Sequence, residues 1–140
     1  MTSPTLTAYP VSRPLRLALL WACIMALFIY ADYFALMTPY KIPAILEQKT
    51  PMGPTTPQIL VIFSVVLIIP ALMIPASALL RSVLSKWLNI VFGTLYAAIS
   101  VLIIVQNIGA SWQYFFVLYQ FVELFVFFLI VRTALTWPKN

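Results

Sequence analysis

Four blocks of apolar residues dominate this chain, and each is close to the roughly 20 residues of helix needed to cross a bilayer core about 30 Å thick. The first runs from Leu15 to Met37 and ends at Pro39; the second runs from Pro57 to Leu80, after the loop KTPMGPTTP. The third runs from Trp87 to Asn107 and the fourth from Trp112 to Trp137. Each break is chemically marked, by the proline-rich loop, by a connection carrying Arg81 and Lys86, and by the short turn NIGAS. The expected fold class is all-α: a polytopic membrane protein forming an antiparallel four-helix transmembrane bundle, since short connections make successive helices antiparallel neighbours. Residues 1–14 are expected to be a flexible cytoplasmic tail and 15–137 a single transmembrane domain. The first span is too long for a cleaved signal peptide, contains Asp32 and has no small-x-small cleavage pattern after it, so it is expected to stay in the mature protein.

Composition closes off most chemistry. Hydrophobic residues make up 64% of the 140 and charged residues 8%, with a mean hydropathy of +1.04. Soluble domains run near 45–50% apolar and about 25% charged, so a soluble globular enzyme is excluded. The chain has no histidine, which removes His-based acid–base catalysis and His-containing metal sites. Cys23 is the single cysteine, so there is neither an intramolecular disulfide nor a CxxC redox pair. No Gly-rich phosphate loop is present, and no metal or cofactor is expected.

The net charge of +5 comes from eight basic residues scattered at helix ends, which is a topology signal rather than a nucleic-acid patch. Arg13, Arg16, Arg81, Lys86, Arg132 and Lys139 fall on one side, while Lys41 and Lys49, offset by Glu47, fall on the other. The positive-inside rule then predicts a multi-pass protein of the cell membrane with both termini cytoplasmic. Trp87, Trp112 and Trp137 stand at span ends, where an indole prefers the interface.

Charges inside a span are the most informative residues, because each costs about 2.5–3.5 kcal/mol near a helix centre on insertion scales. Glu123 lies near the middle of the fourth span and Asp32 nearer the outer end of the first. At 1.5 Å per residue, Asp32 is about 7 Å and Glu123 about 16 Å below that end. A gap of about 9 Å is too long for a shared proton. It suits a cavity with one acid at its mouth and one at its floor. Gln113, Phe116, Gln120, Glu123 and Phe127 recur at helical spacing on one face, with Tyr119 on its border. In the third span Asn89, Gly93, Tyr96, Ser100, Ile103 and Asn107 form a second stripe. Polar stripes in a membrane face the bundle, and Gly93 would let the two helices approach closely. Asp32 is flanked by Tyr30 and Tyr33 and is expected to share a face with Met25, Ile29 and Leu36. In the second span Pro70 and Pro75 free carbonyls near Val66 and Ala71, which predicts a kink or local unwinding.

These residues carry a resemblance. Leu20-Trp21, Tyr30-Ala31-Asp32, Leu36-Met37 with Pro39, and Ile69-Pro70 with Met73, Ser77 and Leu80 occur in an order that is similar to one family. So do Asn89-Ile90 with Gly93, Tyr119 with Glu123, and Ala134 with Trp137. From Leu15 on, the chain resembles a family of small prokaryotic four-span membrane proteins of unknown function. That resemblance implies a place for Asp32 and Glu123 in the family pattern and implies no activity. In size and helix count the chain is also similar, at the level of fold alone, to DoxX-like four-helix membrane proteins.

Three functional readings follow. The first is a bundle that binds or transports a small lipophilic or cationic ligand, with Glu123 as counter-ion or proton carrier and Asp32 at the mouth. Gln120 and Ser100 join this site, and Tyr30, Tyr33, Tyr96, Phe116 and Tyr119 are candidates for an aromatic lining. The second is a structural or accessory subunit of a homo-oligomer or larger membrane complex, with the phenylalanines of FVFFLIV facing lipid or a partner. The third, an intramembrane enzyme using two carboxyls as acid and base, is disfavoured by their separation.

Overall fold

The computed structural model describes residues 10–137, so residues 1–9 of the expected tail lie outside the described residues. Helix α1 spans Arg13–Ala35 and carries Pro14 in its first turn, where the backbone N–H has no intrahelical acceptor to lose. Helix formation thus begins two residues before Leu15, inside the stretch expected to be tail. Helix α3 spans Pro57–Leu79, with Pro57 opening it and the Thr56 hydroxyl accepting from the Ile59 N–H at 3.2 Å. Helix α4 spans Ser82–Asn107 and α5 spans Tyr114–Leu135, joined through Gly109 (φ 94°) and the 3-10 turn Ser111–Gln113. Among the described residues, these four helices are long and apolar enough to cross a membrane.

One boundary differs from expectation by more than a turn. α4 starts at Ser82 rather than Trp87, because SVLSK contains no glycine or proline to stop it. Lys86 and Trp87 therefore ride on the helix, and the α3–α4 connection shrinks to Leu80 and Arg81. The proline-rich loop is also more ordered than its composition suggests. It holds the short helix α2 (Lys41–Leu46) and a minimal antiparallel pair, β1 (Lys49–Thr50) with β2 (Gly53–Pro54). Gln48 at φ 56° and Gly53 at φ 118° supply the left-handed turns that let so short a segment reverse.

The four long helices form a ring in which α1 packs on α3 and α5, and α4 packs on α5 and α3. The α4–α5 seam is the most extensive and α3–α4 the least. Gly93 explains the first. A Cβ added there would lie 2.9 Å from Val131 Cγ2 and 3.3 Å from Ile130 Cγ2, so α4 and α5 approach as only a missing side chain allows. Pro70, Met73 and Ser77 explain the second, being the buried residues of α3 and all lying in its second half.

The bundle is therefore packed in one half only. Leu17, Trp21, Ile24, Met73, Tyr96, Val126, Phe127 and Ile130 form the core, toward the end that carries Arg13, Lys86 and Arg132. Trp21 stands edge-on to Tyr96 and Phe127, with ring centroids 6.3 and 5.9 Å away, and Tyr96 stacks on Phe127 at 6.1 Å. At the basic end the Arg13 guanidinium donates to the Thr136 carbonyl and Lys86 Nζ to the Trp137 carbonyl at 3.4 Å. These cations meet the unsatisfied carbonyls and negative dipole end of α5.

Replacing Gly93 with alanine is expected to lower stability by about 1–3 kcal/mol through overpacking against Val131. Thermal unfolding in mild detergent checks this, and an unchanged midpoint would mean that the α4–α5 seam absorbs the added methyl without strain.

Candidate functional site

Buried polar groups have no water to turn to in a bilayer, so their partners separate structural groups from available ones. Asn89 on α4 is fully buried and fully partnered. Its Oδ1 accepts from Trp21 Nε1 at 2.7 Å and from Ser77 Oγ at 3.2 Å. Its Nδ2 donates to the Ser85 carbonyl at 2.8 Å and to Ser77 Oγ at 3.1 Å. Ser85 Oγ in turn donates to the Ser77 carbonyl at 3.2 Å. One amide thus ties α1, α3 and α4 together, and nothing is left over for a ligand.

A second satisfied group lies midway along the bundle. Pro70 has no N–H, so the Val66 carbonyl one turn earlier loses its helical donor. The Tyr96 hydroxyl donates to it at 2.6 Å. α3 continues as helix through both Pro70 and Pro75, so the local unwinding considered from the sequence does not occur.

Beyond Tyr96, toward the α2 end, the helices part around a cavity of about 150 Å³. α1 contributes Phe28, Ala31 and Asp32, and α3 contributes Val66 and Leu67. From α4 come Tyr96, Ile99, Ser100 and Ile103; from α5 come Phe116, Gln120 and Glu123. Glu123 is 1% exposed and Gln120 3% exposed. Both carboxylate oxygens of Glu123 and the Oε1 of Gln120 are buried with no hydrogen bond among the described residues, although the Gln120 amide and the Ser100 hydroxyl lie close to the Glu123 carboxyl. Asp32 lines the same cavity but is itself exposed, which puts it at the rim.

Of the residues singled out from the sequence, Glu123, Gln120, Tyr96, Ser100 and Asp32 share this cavity. Three others do not. Tyr30 and Tyr33 point outward, 58% and 54% exposed, and Tyr119 lines a separate groove with Phe34, Met37 and Trp112. The aromatic wall comes instead from Phe28, Tyr96 and Phe116. Phe28 went unread, although Trp21, Ile24, Phe28 and Ala31 recur at the helical spacing that marks the inner face of α1. Ile29 and Leu36, expected beside Asp32, are exposed and Met25 is half-buried, because the inner face of α1 is rotated toward Ala31 and leaves Asp32 on its edge. The α4 stripe holds: Asn89, Gly93, Tyr96 and Ser100 are buried, and Ile103 and Asn107 half-buried.

Chemically, the cavity offers carboxylate and amide oxygens as acceptors, a hydroxyl, and aromatic faces, with no cationic side chain on its wall. No curated protein and no solved structure matches the chain. A family model does, across residues 7–140, a range that contains every helix described above. This membrane protein therefore belongs to DUF6326, a family of unknown function.

Proposed function

We propose that the bundle binds a small lipophilic or cationic ligand in the cavity, with Glu123 as its carboxylate partner and Asp32 at the mouth. One observation carries the reading: the two Glu123 oxygens are buried and unpartnered, with Gln120 Oε1 beside them in the same condition. A carboxyl that served only to hold helices in register would be bonded as fully as Asn89 is, whereas the nearby Ser100 hydroxyl and Gln120 amide leave both Glu123 oxygens without a formed hydrogen bond. Leaving such a group bare is costly, and a bound donor or cation removes the cost. The alternative is an accessory subunit whose outward phenylalanines, Phe121, Phe125 and Phe128, meet a partner protein. Those side chains are equally suited to lipid.

Native mass spectrometry of the protein released from mild detergent is expected to show a discrete small-molecule adduct. Glu123→Gln should lose it with the helical fold intact, and Asp32→Asn should weaken it less. A fixed oligomer or protein partner, with no adduct and no effect of either substitution, would favour the accessory role instead.

Orientation belongs to the same proposal: a cell-membrane protein with both termini cytoplasmic, the end bearing Arg13, Arg16, Arg81, Lys86 and Arg132 facing inward. A C-terminal fluorescent reporter that matures only in the cytoplasm should light up. A dark, correctly inserted fusion would reverse the assignment.

A further inference from the structure

The volume, the unpartnered atoms and the shape of the α3–α4 seam together narrow the ligand. At about 150 Å³ the cavity is smaller than the roughly 300–1,000 Å³ of pockets that enclose drug-sized molecules. It holds a head group, and anything longer has to leave through a gap. The least extensive of the four seams, between α3 and α4, is where such a gap fits. The first half of α3, from Pro57 to Ile69, contains no buried residue, and Val66 and Leu67 line the cavity while remaining 41% and 39% exposed. A side chain that borders the cavity and the outer surface at once marks a lateral opening, and in a bilayer that surface faces acyl chains.

The head group is defined by what it must satisfy. Glu123 Oε1, Glu123 Oε2 and Gln120 Oε1 are all acceptors, so the missing partner is a donor. The wall carries two carboxyls and no Lys or Arg, and the nearby cation, Lys41, acts on Asp32 at the rim, so the Glu123 end favours a positive charge beside the rings of Phe28, Tyr96 and Phe116. Resting on the binding reading above, we infer that the site takes a single-chain lipophilic amine. Its N–H-bearing ammonium head meets Glu123 and Gln120, and its alkyl tail passes between α3 and α4 into the surrounding acyl chains. A quaternary ammonium has the charge and lacks the donors; an alcohol has a donor and lacks the charge.

The full chain in mild detergent tests this through its thermal unfolding midpoint with decylamine, decyltrimethylammonium, decanol and methylamine. A ligand that binds only the folded state raises the midpoint. Decylamine is expected to bind about tenfold or more tighter than the other three, since charge-assisted hydrogen bonds are lost in each comparison or the tail is missing. Glu123→Gln should erase the decylamine shift. Leu67→Trp, at a position already facing outward, should narrow the opening and weaken decylamine while leaving Glu123 in place. Equal, Glu123-dependent shifts from decyltrimethylammonium would overturn the donor requirement, and equal shifts from methylamine would overturn the tail route. Both results would leave the binding reading standing. No Glu123-dependent shift from any of the four overturns the amine inference. An adduct on the wild type in native mass spectrometry then shows whether the binding reading survives it. If Glu123→Gln does not fold, Gln120→Met and Leu67→Trp decide, and a decylamine shift that neither reduces counts against the proposal.

Discussion

A buried amide in a membrane must find all its hydrogen bonds in protein, and Asn89 finds them on three helices at once. The Trp21 indole N–H from α1, the Ser77 hydroxyl from α3 and the Ser85 carbonyl on α4 converge on it, all essentially inaccessible. Such a junction fixes rotation as well as distance. Turning α1 by one residue would withdraw Trp21 Nε1, and sliding α3 by one turn would withdraw Ser77. Apolar contacts among Leu, Ile and Val cannot impose this, because lipid tails offer nearly the same dispersion energy as a neighbouring helix. With α1, α3 and α4 located, Gly93 lets α5 close against α4, and Phe127 and Ile130 complete the core.

The junction sits in one half of the bundle, and the other half takes its character from that asymmetry. α3 is pinned by Ser77 and Met73 but has no buried residue before Pro70. Pro70 removes a helical hydrogen bond at the midpoint, and Tyr96 replaces it across the bundle. The Tyr96 ring belongs to the packed core while also lining the cavity, so it is the boundary between the closed half and the open one. Glu123 lies just beyond that boundary, buried by the bundle with Ser100 and Gln120 close by but no hydrogen bond formed to either. Packing and availability are thus two consequences of where the polar residues fall along α4 and α5.

Much of this was legible because the polar residues are few and periodic. Asn89, Gly93, Tyr96 and Ser100 announce the inner face of α4, and Gln120, Glu123 and Phe127 that of α5, since a single polar stripe on an apolar helix has one place to go. Helix α1 hid its rotation. Between Arg16 and Tyr30 it is apolar on every side, so Met25 and Ile29 looked as suitable for the interior as Ile24 and Phe28, and Tyr30 and Tyr33 looked like lining when they point outward. Trp21 was illegible for a related reason: an indole in a span reads as an interfacial anchor until its partner, 68 residues away, is known. The freed Val66 carbonyl could be read from Pro70; that Tyr96 would cap it could not, because the register between α3 and α4 is a tertiary property. The proline-rich loop concealed α2 and its hairpin because its order depends on local turns at Gln48 and Gly53 rather than on periodicity.

One half of the bundle is closed around Asn89 and the other is open around Glu123. Two serines on the same face of α4 sample the two halves, Ser85 beside the junction and Ser100 on the cavity wall. With the exposed Cys23 first replaced by alanine, single cysteines at these positions can be challenged with a small membrane-permeant thiol reagent. Rapid labelling of Ser100→Cys and protection of Ser85→Cys are expected in folded protein. Equal protection at both would mean the cavity is closed in solution, and the availability of Glu123 would fall with it.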